Sequence, residues 1–202
     1  MLGWLDKNAP ESLHNYFDTA IHSGMRPEEL IALKWQDIDF DGGALLVVRS
    51  RSGGELKSTK TNRSRLIEMN RPLRLALERQ RNLSGVQDWV FLNPTTKRAW
   101  NSEKSQRENY WKPALKACGI RPRFAYQTRH TFASLSLSAG ANPMWLAVQM
   151  GHSSTKMLFE RYGKWIDSPG RATEHSKIES MFENRGNVPE LSQKGVSKNE
   201  SV

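Results

Sequence analysis

A chain of 202 residues with 37% hydrophobic side chains can bury one sizeable core, and it holds no apolar run approaching about 18 residues that would span a membrane. Its 30 Lys and Arg exceed its 21 Asp and Glu, a formal net charge of +9 at pH 7. Its one cysteine, Cys118, excludes internal disulfides and thiolate-rich zinc sites and reads as core packing.

The start, MLGWLDKNAP, lacks the basic region and long apolar stretch of a secretory signal, so the sequence reads as cytoplasmic. From Arg171 onward five basic residues balance five acidic ones. The whole basic excess, 25 against 16, therefore lies in residues 1–170. Such an excess on the folded part is either a surface shaped for polyanions or a solvated face that only aids solubility.

In chain order, Pro10 and Glu11 open a helix whose Leu13, Phe17, Ala20 and Ile21 share one stripe, with Gly24 suited to the position after its end. Pro27 starts a second short helix across PEELIALKW, with Leu30 and Leu33 inward and Arg26 at the junction. The segments IDF, ALLVVRS and SRLIEM predict a small three-stranded antiparallel sheet, with a turn at DGG. A polar loop, RSGGELKSTKTN, carries Lys57 and Lys60.

After Pro72 the pattern is helical again. PLRLALERQR precedes an extended DWVFLNP, a long polar-aromatic helix over about 102 to 118, a helix from 127 to 139 ending at Gly140, Pro143 to Met150 ending at Gly151, and a helix from Ser154 to Tyr162 broken at Gly163. The fold class expected is α+β, mainly α-helical. Residues 1–169 form one domain and 170–202 a tail, with a weak amphipathic segment holding Ile178, Met181 and Phe182. From Asn187 to Val202 the composition is that of a disordered chain.

Three features bear on chemistry. Arg129, Phe132, Ala133 and Ser136 follow helical spacing, so a guanidinium emerges on a half-buried stripe. Leaving it unpaired there costs roughly 3 to 5 kcal/mol, so it must find an anion, either an internal carboxylate or a bound phosphate. His130 lies about 100° around that helix and reads as a surface or packing residue. Arg26, at a helix start, raises the same question, and two arginines with hairpin lysines would suit a phosphodiester. The sequence has no paired acidic cluster for two metals, no HExxH, no GxxxxGK[ST] and no GxSxG. Phosphoryl chemistry here would proceed without metal, nucleotide or other cofactor.

Four stretches, SGMRPEEL (23–30), STKTNRSRLIEM (58–69), YQTRHTFASLSLSAG (126–140) and MGHSSTKMLFERYGKW (150–165), closely resemble in order and spacing the catalytic-domain boxes of tyrosine recombinases, the phage integrase family. The resemblance covers about residues 11 to 166. It implies that Arg26 and Arg129 clamp a scissile phosphate and that His152 hydrogen-bonds a phosphoryl oxygen. Lys60 would protonate the leaving 5′-oxygen, with Lys57 the nearby alternative. Glu29 would be a supporting carboxylate that orients the basic side chains, and Tyr162 the nucleophile that forms a 3′-phosphotyrosine and so stores the bond energy without ATP. Each has a plain alternative: solvated lysines, a surface glutamate, a histidine cap, a core tyrosine.

Two departures from the family pattern stand out. The second box usually reads His-x-x-Arg, and Tyr126 occupies the histidine's place. A phenol can donate to a phosphate oxygen, but with a pKa near about 10 it is a poor base at neutral pH. The family's N-terminal core-binding and arm-binding domains have no counterpart here, so the chain reads as an isolated catalytic domain or a truncated product.

The resemblance implies a site-specific recombinase acting on double-stranded DNA, prokaryotic or phage-encoded. Its partners would be further protomers in a synaptic tetramer, with the isolated domain a monomer and no membrane involved. A type IB topoisomerase-like enzyme and a catalytically idle DNA-binding module are the alternatives.

Overall fold

The computed structural model describes residues 1–58, 64–152, 154–163, 175–176 and 179–180. The chain divides into Met1–Ile166 and Asp167–Val202. Of the second unit only the helical pairs 175–176 and 179–180 are described, so the tail expectations lie outside the described residues.

Helix α1 (Leu2–Asn8) was not foreshadowed by sequence pattern. It has no side-chain cap and forms because Leu5 is fully buried where α1 packs on α2 (Glu11–Ser23). α2 is the central element, burying Leu13, Tyr16, Phe17 and Ala20. It ends at Gly24, whose φ of 63° is left-handed and whose added Cβ would sit 2.4 Å from the ring of Phe132, so both conformation and packing demand glycine.

Helix α3 (Pro27–Leu30) is shorter than PEELIALKW predicted. Beyond it the chain turns off to bond residues 88–90, with Val90 N–H donating to Leu33 O and Trp35 N–H to Asp88 O. Leu33 still points inward. A 3₁₀ turn at Trp35–Asp37 leads into the sheet.

Strands β1 (Ile38–Asp39) and β2 (Ala44–Val47) pair antiparallel, and β2 pairs on its other edge with Arg65–Glu68, the last strand among the described residues. In this register Leu45 faces Ile67 and both are buried, while Leu46 faces Leu66 on the exposed side, as alternation requires. The expected three-stranded sheet is thus present.

The polar loop, however, is partly a second hairpin of β3 (Arg49–Ser52) and β4 (Glu55–Ser58), turning on Gly53 and Gly54 with φ of 59° and 85°. Two successive left-handed residues match the strand twist. The Gly-Gly signal was in the sequence, masked by the lack of apolar alternation. The Arg65–Glu68 strand is β5.

Helix α4 (Arg71–Ser84) starts on Asn70, whose side chain accepts from Leu73 N–H, and packs on α2. The long helix over 102–118 is found as α5 (Lys104–Gln106), a π-helical stretch Arg107–Trp111 and α6 (Lys112–Ala117). Pro113, with no N–H to donate to the preceding turn, accounts for the widened ladder. Cys118 is exposed, against the core-packing expectation. α6 ends at Ala117, and with Gly119 left-handed the chain turns away from the core there.

Helices α7 (Gln127–Ser138), α8 (Pro143–Met150) and α9 (Thr155–Tyr162) lie where the sequence pattern put them. Their shared interior is a separate small cluster of Ala133, Leu137, Leu146, Met150, Leu158 and Tyr162, with Phe132 against it. Among the described residues no helix is long and apolar enough to cross a membrane.

Candidate active site

Arg129 is fully buried, and its partners are main-chain carbonyls rather than a carboxylate. Nη1 donates to Gly24 O at 2.6 Å and Nη2 to Met150 O at 2.5 Å. These carbonyls belong to the residue two before Arg26 and the residue two before His152. One guanidinium therefore ties the end of α2 to the end of α8, fixing two boxes that are far apart in sequence. Burial and the neighbouring charge of Arg26 pull its pKa down to about 10, which leaves it a cation at pH 7.

Arg26 precedes α3, and Glu29 caps that helix by accepting from Arg26 N–H at 2.9 Å. The same carboxylate takes Arg26 Nη1 at 2.8 Å and both terminal nitrogens of Arg65, at 3.0 and 2.6 Å. Burial by itself would raise the Glu29 carboxyl. The hydrogen bonds and charge of Arg65, joined by Arg26, outweigh that and hold it at about 2. Glu29 thus bonds two cations while staying ionised.

Arg65 was not singled out by sequence reasoning, although it lies inside a quoted box at the start of β5. Its Nε donates to Gln149 O at 2.9 Å, on α8. Gly151 makes room for it: an added Cβ there would meet Arg65 Cδ at 2.8 Å, and the φ of 66° is left-handed. That glycine, read only as a helix stop, was the available signal.

His152 follows Gly151, with its N–H bonded to Ala147 O at 2.9 Å in the helix cap. Its Nδ1 is buried without a protein partner among the described residues. Burial, then the charges of Arg129, Arg26, Arg65 and Arg161, push its pKa down to about 4, so the ring is neutral at pH 7.

Tyr162 closes α9 with its ring buried, and its hydroxyl lies 2.5 Å from His130 Nδ1. Burial raises the phenol pKa, with Arg129 and Arg161 opposing and Tyr126 adding to the rise. The reading of His130 as a surface or packing residue is therefore incomplete. It is half-buried and bonded to the candidate nucleophile, with the ring of Tyr126 edge-on to it at 5.2 Å between centroids.

Lys57, on β4, is exposed and pairs with Glu55 at 3.1 Å; Lys60 lies outside the described residues. Among the described residues no three His, Cys, Asp or Glu side chains gather into a metal-binding group. Arg26 keeps part of its side chain exposed, whereas Arg65 and Arg129 spend their terminal nitrogens on Glu29 and on main-chain carbonyls, so Arg26 is the accessible cation among them.

The profile of the phage integrase family matches residues 4–166. Prophage integrase IntR of Escherichia coli (strain K12) is 34% identical over 177 residues, covering 76% of this chain and 43% of IntR. IntQ of the same strain, whose name carries the word defective, is 30% identical over 194 residues, covering 83% of this chain and 49% of IntQ. The chain thus spans about half the length of these curated relatives or less. In fold it is similar to the Tn1549 transposon integrase solved with circular intermediate DNA, with a TM-score of 0.71 at 20% identity over 89% of this chain and 63% of that one. The mainly helical fold with its small antiparallel sheet is that of a tyrosine recombinase catalytic domain, and the chain belongs to the phage integrase family.

Proposed function

We propose that this chain cleaves and rejoins duplex DNA by transesterification, the hydroxyl of Tyr162 attacking a phosphodiester to leave a 3′-phosphotyrosine. The observation that carries this reading is the tie made by Arg129: by bonding Gly24 O and Met150 O it holds the chain before Arg26 against the chain before His152, and Glu29 is the carboxylate that ties Arg26 and Arg65. A cationic group of that kind is stabilised by an anion, and Tyr162 packs in the same small cluster as Met150, whose carbonyl Arg129 holds.

In this reading the charge that builds on the non-bridging oxygens is met by fixed cations in place of solvent. Arg26, whose side chain keeps 24% of its surface exposed, makes the direct contact. Arg129, held on its two carbonyls, supplies field and position. His152 adds a hydrogen bond from a neutral ring. Lys60 protonates the leaving 5′-oxygen. Residues 1–169 act as the catalytic domain and 170–202 as its tail. On DNA, in the cytoplasm of a bacterial host, the chain works within a synaptic tetramer.

The test is a nicked suicide duplex, from which the cleaved strand end diffuses away. The expected result is a covalent adduct stable to denaturant and mapped to Tyr162. Binding without an adduct would leave an idle DNA-binding module, and supercoil relaxation without synapsis a topoisomerase-like enzyme.

A further inference from the structure

Tyr126 stands where the second box usually has its histidine, and a phenol there is a poor base. A buried phenol at position 162 still has to lose its proton: at a pKa of about 10 only about one molecule in a thousand is ionised at pH 7, and burial lowers that fraction. One helical turn beyond Tyr126, on the same side of α7, His130 meets that phenol directly. We propose that His130 is the general base of the cleavage step, its Nδ1 taking the phenolic proton of Tyr162 as the phenolic oxygen bonds to phosphorus. This rests on the reading of Tyr162 as nucleophile given above.

The geometry has the elements a base needs. The 2.5 Å separation is that of a hydrogen bond already made, and in the tautomer with hydrogen on Nε2 the phenol donates to Nδ1. The charged and titratable groups near the ring are Arg129 and Tyr126 on its own side and Arg161 and Tyr162 on α9. α8 has no titratable side chain, and on α2 Asp18 and His22 are paired with each other at 2.9 Å. Burial, then Arg161 and Arg129, lower the His130 pKa, so the imidazole is neutral and able to accept at pH 7.

The step balances. The bond from the Tyr162 oxygen to phosphorus forms, the bond from phosphorus to the 5′-oxygen breaks, the phenolic proton ends on Nδ1, and the 5′-oxygen is protonated by the general acid. On rejoining, the 5′-hydroxyl attacks, its proton returns to that acid, and His130 hands its proton back to the departing phenolate.

The experiment is single-turnover cleavage of the nicked duplex as a function of pH. His130→Asn keeps an acceptor oxygen near Nδ1 but has no basicity. It should bind DNA and melt like wild type, cleave about a hundredfold more slowly, and lose the acid-side fall in rate that wild type shows, whose midpoint lies below the ordinary imidazole value of about 6.5. A ring-fluorinated tyrosine of lower phenol pKa at position 162 should recover much of that loss, which a purely structural role for His130 would not allow.

If His130→Asn melts early, His130→Ala with and without added imidazole gives the same decision through rescue. A wild-type rate and pH profile in the Asn variant, with adduct still forming, overturns the proposal, as does failure of both fluorination and imidazole to rescue. Absence of adduct from the wild-type chain overturns instead the reading of Tyr162 as nucleophile.

Discussion

The wall of the site built on α3 and β5 stands on the larger core, where Leu30, Ile31, Leu45 and Ile67 are buried, and Glu29 ties its arginines together. The wall built on α7, α8 and α9 stands on six buried side chains and is tied by two main-chain carbonyls and the His130–Tyr162 bond. The cationic side is thus anchored by ion pairs and a deep core. The proposed nucleophile, Tyr162, rides on an eight-residue helix whose interior contribution is chiefly Leu158 and Tyr162 itself. A phosphate clamp gains from rigidity, since preorganised charges cost no rearrangement at the moment of reaction. A nucleophile that must be presented in turn gains from a helix that can shift at small cost.

The largest effect expected comes from the wall built on α7, α8 and α9. Tyr162→Phe removes the attacking oxygen and should abolish the adduct altogether while duplex affinity, measured by gel shift, stays near wild type. An adduct persisting and mapping to Tyr126 would reassign the nucleophile.

Next is the residue that joins the two walls. Arg129→Ala leaves the carbonyls of Gly24 and Met150 without their charged donor, at about 1 to 3 kcal/mol for each unpaired carbonyl, and should lower stability accordingly in chemical denaturation. Cleavage by the folded fraction should fall about a thousandfold. Arg129→Lys should restore only part of this, because a single ammonium is a poor match for two carbonyls on different elements.

The wall built on α3 and β5 can be titrated. Glu29 has its pKa lowered from 4.5 to about 2, so its contribution to stability is fully present above pH 4.5 and is lost as pH falls toward 2. The difference corresponds to about 3 kcal/mol. Glu29→Gln should lose roughly that much at pH 7 and show a flatter acid limb of stability between pH 4.5 and 2; an unchanged limb would place the acid sensitivity elsewhere.

Two matched truncations compare the two interiors. Leu77→Ala in the larger core should cost about 4 kcal/mol, whereas Leu158→Ala in the small cluster should cost about 2, because α9 can settle over the gap. Amide exchange should follow the same order, α9 opening before α2 and α4. Equal costs and equal protection would remove the contrast between the walls. The smallest effect is that of Tyr126→Phe. It deletes one hydroxyl while keeping the ring against His130, and should slow cleavage roughly fivefold, about 1 kcal/mol.

The sequence alone determined where α2, α7, α8 and α9 begin and end, because the signals are local. Pro10, Pro27 and Pro143 open helices, Gly24 and Gly151 close them, and a stripe such as Leu13, Phe17 and Ala20 sets the inward face within a few residues. It also determined the three-stranded sheet, through alternation in ALLV and RLIE. The boxes marked Arg26, Arg129, His152 and Tyr162 as belonging together.

Tertiary structure decided who holds whom. Arg129 reaches Gly24 across 105 positions, Arg65 reaches Glu29 across 36, and His130 meets Tyr162 across 32. No propensity or periodicity acts over such distances. A buried guanidinium needs acceptors, but whether they are carboxylates or bare carbonyls depends on which chain ends the core brings against it. By the same token Cys118 turned outward, and α1 formed on packing alone. The imidazole that sequence spacing set aside came to rest on the phenol, because the packing of α9 on α7 carried Tyr162 to it.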